Sequence, residues 1–148
     1  MQIRARAPKG LSASLFWFDS EGHLLELPVE RITLLSDSGE ELIYPASGKE
    51  TTLAGPVGTE LIFLCARPRA SGRPNSAEIG GLVREGEPLP AITSPSLLLL
   101  DADAVRWSAD RGPGTVRDQP GLLKRLEALR SGLREKFEFV SGVAFPRN

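Results

Sequence analysis

Asp19, Glu21 and His23 alternate along the stretch "DSEGH", and His23 is the only histidine in the 148-residue chain. Histidine is the side chain whose ordinary pKa suits proton transfer near neutral pH. A neighbouring carboxylate could orient its ring, so His23 with Asp19 or Glu21 has the makings of an acid–base pair. A nucleophilic mechanism would add Cys65, the only cysteine, or a serine within hydrogen-bond reach of the ring. Cys65 lies inside the apolar run "LIFLCA", where a thiol behaves as a small hydrophobe with a raised pKa. "DSEGH" also has the composition of a tight turn, with Gly22 where a positive φ is needed. On that reading Asp19 and Gly22 reverse the chain and His23 begins the returning strand.

Other chemistries find weaker footing. One histidine and one cysteine cannot build a zinc site without carboxylates. Asp19 with Glu21, and Asp101 with Asp103, are short acidic pairs that could meet a calcium ion, but neither runs on into a full binding loop with a closing glutamate. "GPVGTE" has glycines but no following lysine and leads into a strand, whereas phosphate-binding loops open a helix. Carboxylates for glycoside hydrolysis are present, but their separation is not readable from sequence. Lys124, Arg125, Arg130, Arg134 and Lys136 make one helix face basic against Glu127 and Glu135, and "RPRASGR" is a second basic cluster. Without evident stacking aromatics, a solvated helix face is the default reading and nucleic-acid binding the weaker one. No catalytic, cofactor or metal residue is assigned, and no cofactor is expected.

These side chains must be held by the elements around them. "IRARA" alternates as an edge strand whose outward arginines discourage further pairing. "SASLFWF", "DSEG" and "HLLELP" read as strand, turn and strand. "ERITLLSDSGEELIYP" repeats that pattern. "KETTL" adds a polar strand edge and "GPVG" a turn into "TELIFLCA". Leu61, Phe63 and Cys65 of that strand point one way, and Ile62, Leu64 and Ala66 the other, so it is the candidate central strand. Residues 67–95 form a long connection rich in Pro, Gly and Arg. It could supply a short helix over 76–85 with Ser76 as N-cap. "SLLLLDADAVRW" reads as one strand with a polar interruption, and "SADRGPG" as a turn. Leu122, Leu126, Leu129, Leu133 and Phe137 recur at helical spacing, with Asp118 as N-cap and Pro120 in the first turn. "FEFVSGVAF" alternates as a last strand. The order predicts a mainly β (α+β) fold: an antiparallel, Greek-key-like β-sandwich with one C-terminal amphipathic helix packed on it.

The length fits one domain, 1–148, able to bury a core without disulfide or metal staples. A net charge of −1 provides no field to steer nucleic acid or anionic membrane toward the chain. No secretory signal or membrane-spanning run is visible, and a single cysteine forms no internal disulfide, which together read as a cytoplasmic chain without a membrane partner.

The succession "SLFWFDSEGHLLELP", "LAGPVGTELIFLCAR", "VRWSADRGP" and "LLKRLEALRSGLREKFEFVSGVAF" resembles a bacterial, planctomycete-type domain of unknown function. That domain is found C-terminal to serine/threonine kinase-like or caspase-like peptidase domains. The resemblance covers most of residues 11–148. It departs at "ELPVE", where the family usually has Tyr-Pro-Trp or similar. The family has no agreed catalytic residues, so none is carried over. The resemblance implies a non-catalytic accessory or interaction module, the regulatory or ligand- or partner-sensing part of a larger signalling protein. Its expected partner is another protein, for instance an upstream kinase-like or peptidase-like domain of the same chain. The alternatives from the residues are a small acid–base enzyme centred on His23 with Asp19 and Glu21, and nucleic-acid binding through the Lys124–Lys136 face.

Overall fold

The computed structural model describes residues 2–33, 39–46, 57–92, 97–101, 103–107 and 119–147. The strands are β1 (Ile3–Ala7), β2 (Leu11–Phe18), β3 (Leu24–Glu26), β4 (Glu30–Thr33), β5 (Glu40–Tyr44), β6 (Gly58–Pro68), β7 (Leu98–Leu100), β8 (Val105–Trp107) and β9 (Phe139–Arg147). The helices are α1 (Ser76–Val83) and α2 (Pro120–Lys136), with a 3₁₀ turn at Arg69–Ser71. The fold is mainly antiparallel β, with one sheet ordered β1-β5-β4 and a larger one ordered β3-β2-β6-β9-β7-β8.

Alternation along β2 and β6 divides the core in two, because successive strand residues face opposite sides. Phe16, Phe18, Leu61, Phe63 and Cys65 face the helices, where they meet Ile79 and Val83 of α1 and the buried leucines of α2. Ala13, Leu15, Trp17, Ile62, Leu64 and Ala66 face the small sheet, where they meet Ala7 and Leu42. β6 lies between β2 and β9 and pairs with both over residues 61–66, so the run that is apolar on both faces is an interior strand.

The helix stripe is as its spacing predicts: Leu122, Leu126, Leu129, Leu133 and Phe137 are all buried. Pro120 opens α2, where its missing N–H costs little. The expected cap Asp118 lies outside the described residues; Gln119 is the N-cap and makes no side-chain capping bond. Its amide instead donates to Ala91 O at 2.6 Å. Gly132 has a packing reason, since a Cβ there would come within 2.9 Å of Leu82 on α1.

The short helix expected over 76–85 is present as α1, but its cap is Asn75 rather than Ser76. Asn75 Oδ1 accepts from Glu78 N at 3.1 Å while Asn75 N donates to Glu78 Oε1 at 3.1 Å. This reciprocal box needs an acid three residues after the cap, which Asn75 has and Ser76 lacks. Arg67 then clamps Glu78 with bonds of 2.5 and 2.8 Å, binding the end of β6 to the start of α1. In addition, "SLLLLDADAVRW" is a hairpin and not one strand: β7 and β8 pair antiparallel, and Asp101 N donates to Ala104 O across the turn. The polar residues mark the reversal, which a linear reading mistakes for an interruption. The "KETTL" strand, the Gly55–Pro56 part of "GPVG", the "SADRGPG" turn and Ser36–Ser38 lie outside the described residues.

Candidate functional site

"DSEGH" folds as a turn. Gly22 N donates to Asp19 O at 3.0 Å, and Gly22 takes φ +85°, a conformation other residues rarely adopt. Asp19 Oδ1 accepts from the backbone N–H groups of Glu21 and His23 at 2.9 and 2.8 Å, so much of its acceptor capacity holds the turn together. The His23 ring does meet its two acids: Nδ1 lies 3.4 Å from Asp19 Oδ2 and 3.6 Å from Glu21 Oε2. Glu21 and His23 are exposed, the His23 side chain 61% so, while Asp19 is half-buried.

Cys65 is far from this turn. It pairs with Ser14 near the opposite end of β2, four strand residues (~13 Å) from the Phe18–Leu61 pair that precedes the turn. Burial pushes its thiol far above the usual range, with Glu78 adding to the shift. The other acidic pair is also separated from any cluster. Asp101 accepts from Arg106 Nε at 2.6 Å, and Asp103 is exposed. Among the described residues no group of three or more His, Cys, Asp or Glu side chains could hold a metal ion. Among them, too, no helix is long and apolar enough to cross a membrane.

The basic face of α2 is largely engaged with protein. Arg130 donates to Glu127, itself bonded to Val105 N. Arg134 donates to Glu138 O, and Lys136 to Glu78 O. Arg125 donates to the carbonyls of Val83, Glu87 and Pro88 and lies over the Phe18 ring, 5.8 Å from its centroid. Lys124 has no such partner among the described residues.

The site that the fold builds lies elsewhere, between α1, α2 and the ends of β2 and β6. It is a cavity of about 300 Å³. Phe18, Leu61, Leu82, Val83, Leu89 and Leu129 make its apolar walls, and Arg84, Lys124 and Arg125 supply three cations with no acid among the lining residues. Burial pulls the Arg125 pKa below its ordinary value, yet an arginine remains charged at neutral pH. Arg84 ends α1 at φ +58°, the one described non-glycine residue with positive φ. A left-handed cap is where glycine is expected, and an arginine there costs about 1 kcal/mol.

The "DSEGH" turn contributes to this site as a support. Gly22 O accepts from Gly86 N at 2.7 Å, and a Cβ on Gly22 would come within 3.0 to 3.1 Å of the Gly86–Pro88 backbone. The turn thus holds the segment after α1 whose carbonyls grip Arg125. Thr59 secures the next stretch, donating to Pro90 O and accepting from Ile92 N. Sequence reading missed the cavity because its walls come from segments distant in sequence. Two signals were present: a non-glycine residue ending a short helix, and two adjacent cations in "LLKRLEAL" at the border of the leucine stripe. No protein-family model, curated protein or solved structure matches the chain.

Proposed function

We propose that this domain is a non-catalytic accessory module that receives a ligand or partner segment in the cavity between α1 and α2. One observation carries the reading: the concavity between α1 and α2 combines apolar walls with three cations, the usual make-up of a binding pocket. The groups suited to chemistry are elsewhere, on an exposed turn or deep in a strand. The two sheets are read as a β-sandwich-like support for this pocket; the Greek-key-like description belongs to the same reading. The resemblance to a kinase- and peptidase-associated domain is consistent with a regulatory or sensing role beside a signalling domain, with a protein partner and a cytoplasmic setting. The engaged cations of α2 speak against nucleic-acid binding.

The alternative is an acid–base enzyme using His23 with Asp19 or Glu21, and the position of Nδ1 within 3.4 and 3.6 Å of the two carboxylates favours it. A fragment library screened by amide chemical-shift mapping separates the two. Shifts gathered at Phe18, Leu82–Arg84 and Lys124–Leu129, unchanged by His23→Ala, support the binding module. Turnover of an ester, phosphate or glycoside substrate that disappears in His23→Ala without unfolding would overturn it.

A further inference from the structure

The geometry points to a medium-chain monocarboxylate, on the order of ten heavy atoms long, as the ligand class of the α1–α2 cavity. This assignment rests on the binding-module reading above and adds the ligand's charge, shape and size. The charge follows from the lining, which has three cations and no acid. Their availability differs. Arg125 is held by backbone carbonyls and against Phe18, so it contributes a fixed positive charge to the wall. Lys124 has no ion-pair partner among the described residues. Arg84 is 3.9 Å from Glu87, and both side chains are 65% exposed, a loose pairing that an entering anion can replace.

The strained left-handed backbone of Arg84 is a second observation. Glycine would cap α1 with less strain, and strain of this kind is characteristic of functional positions. The shape follows from the remaining lining residues, which are apolar apart from Gly121. A small inorganic anion would leave those walls without a partner, and an uncharged hydrocarbon would leave Lys124 unanswered. The size follows from the volume. A methylene takes roughly the ~30 Å³ of a liquid water molecule. The 300 Å³ therefore suits about ten heavy atoms, a carboxylate of about eight carbons, head at Lys124 and Arg84 and tail toward Leu61 and Leu129.

The test uses the full chain with decanoate, decan-1-ol and decyltrimethylammonium as probes, read by calorimetry and amide-shift mapping. Decanoate is expected to bind at least about tenfold more tightly than decanol, with shifts at Leu82–Arg84 and Lys124–Leu129, and the cationic amphiphile least of all. Shortening the carboxylate below about eight carbons is expected to weaken binding by about fourfold per methylene. Lys124→Met should weaken decanoate about fivefold and leave decanol unchanged. Ala128→Phe, which fills the cavity from α2, should abolish both. The shift map stands even if either variant folds poorly. Decanol or the cationic amphiphile binding as tightly as decanoate would overturn the anion assignment and leave the pocket intact. An acidic, leucine-containing peptide binding there while decanoate does not would overturn the ligand class alone. Silence at the cavity from every amphiphile, the peptide and the fragment library would overturn this inference and the binding-module reading together.

Discussion

The two faces of β6 handle charge in opposite ways. On the face toward the small sheet, Glu60 is fully buried and each of its oxygens is paired: Trp17 Nε1–H donates to one at 2.8 Å and Arg147 Nη1 to the other at 2.7 Å. On the helix face, the cavity that begins at Leu61 holds three cations and no acid. The first arrangement is structural. A buried charge that lost its partner would be costly, so each oxygen is answered from within the protein. The second leaves positive charge beside apolar walls, where an outside group can answer it. A neighbouring pair of residues on one strand, Glu60 and Leu61, thus opens onto a closed electrostatic system and an open one.

The largest expected effect comes from breaking the closed side. Arg147→Ala should destabilise the domain by about 3 kcal/mol in chemical denaturation, because Glu60 is left buried and unpaired. Replacing both with apolar residues, Glu60→Leu with Arg147→Met, should recover most of that loss, short of the unpaired Trp17 N–H. A single variant milder than the double one would mean the pair is not closed. On the open side, Arg125→Met should cost about 1 kcal/mol, since the carbonyls it leaves are near water. Its thermal melt should therefore shift less than that of Arg147→Ala.

Arg84→Gly should stabilise the fold by about 1 kcal/mol by relieving the left-handed cap, while weakening whatever the cavity binds. Loss of stability instead would show that the Arg84 side chain supports the fold. A pH series tests the α1 cap. Hydrogen bonding from Arg67 holds the Glu78 carboxyl below its ordinary range. Its contribution is therefore present above the ordinary glutamate pKa and fades as pH falls through the lower folded value. The gap in melting temperature between the native chain and Glu78→Gln should narrow on acidification from pH 7. The smallest effect is His23→Ala, less than about 0.5 kcal/mol, because its carboxylate contacts are exposed to solvent. A larger loss would place His23 in a network that the turn geometry does not contain.

Local patterns were legible wherever a periodicity or a turn residue decides the outcome. The leucine stripe of α2, the two-faced strand β6, the arginine-bearing edge strand β1 and the Gly22 turn all follow from spacing and backbone sterics. The β7–β8 hairpin was misread because two three-residue strands are too short to show a period of their own. The cap of α1 was misplaced by one residue because serine and asparagine both cap helices, and only the partner acid three residues on distinguishes them.

By itself, the sequence determined which residues alternate, which recur at helical spacing and where the chain must turn. It also pointed Cys65 toward the core, since a thiol inside an apolar run packs as a small hydrophobe. The tertiary structure alone decided that the turn before His23 would brace the segment after α1. It also decided that residues from β2, β6, α1 and α2 would enclose one cavity, and that Glu60 would be answered by an arginine 87 positions away. Those outcomes depend on which surfaces meet through space, and periodicity within a segment carries no information about the segment it will face.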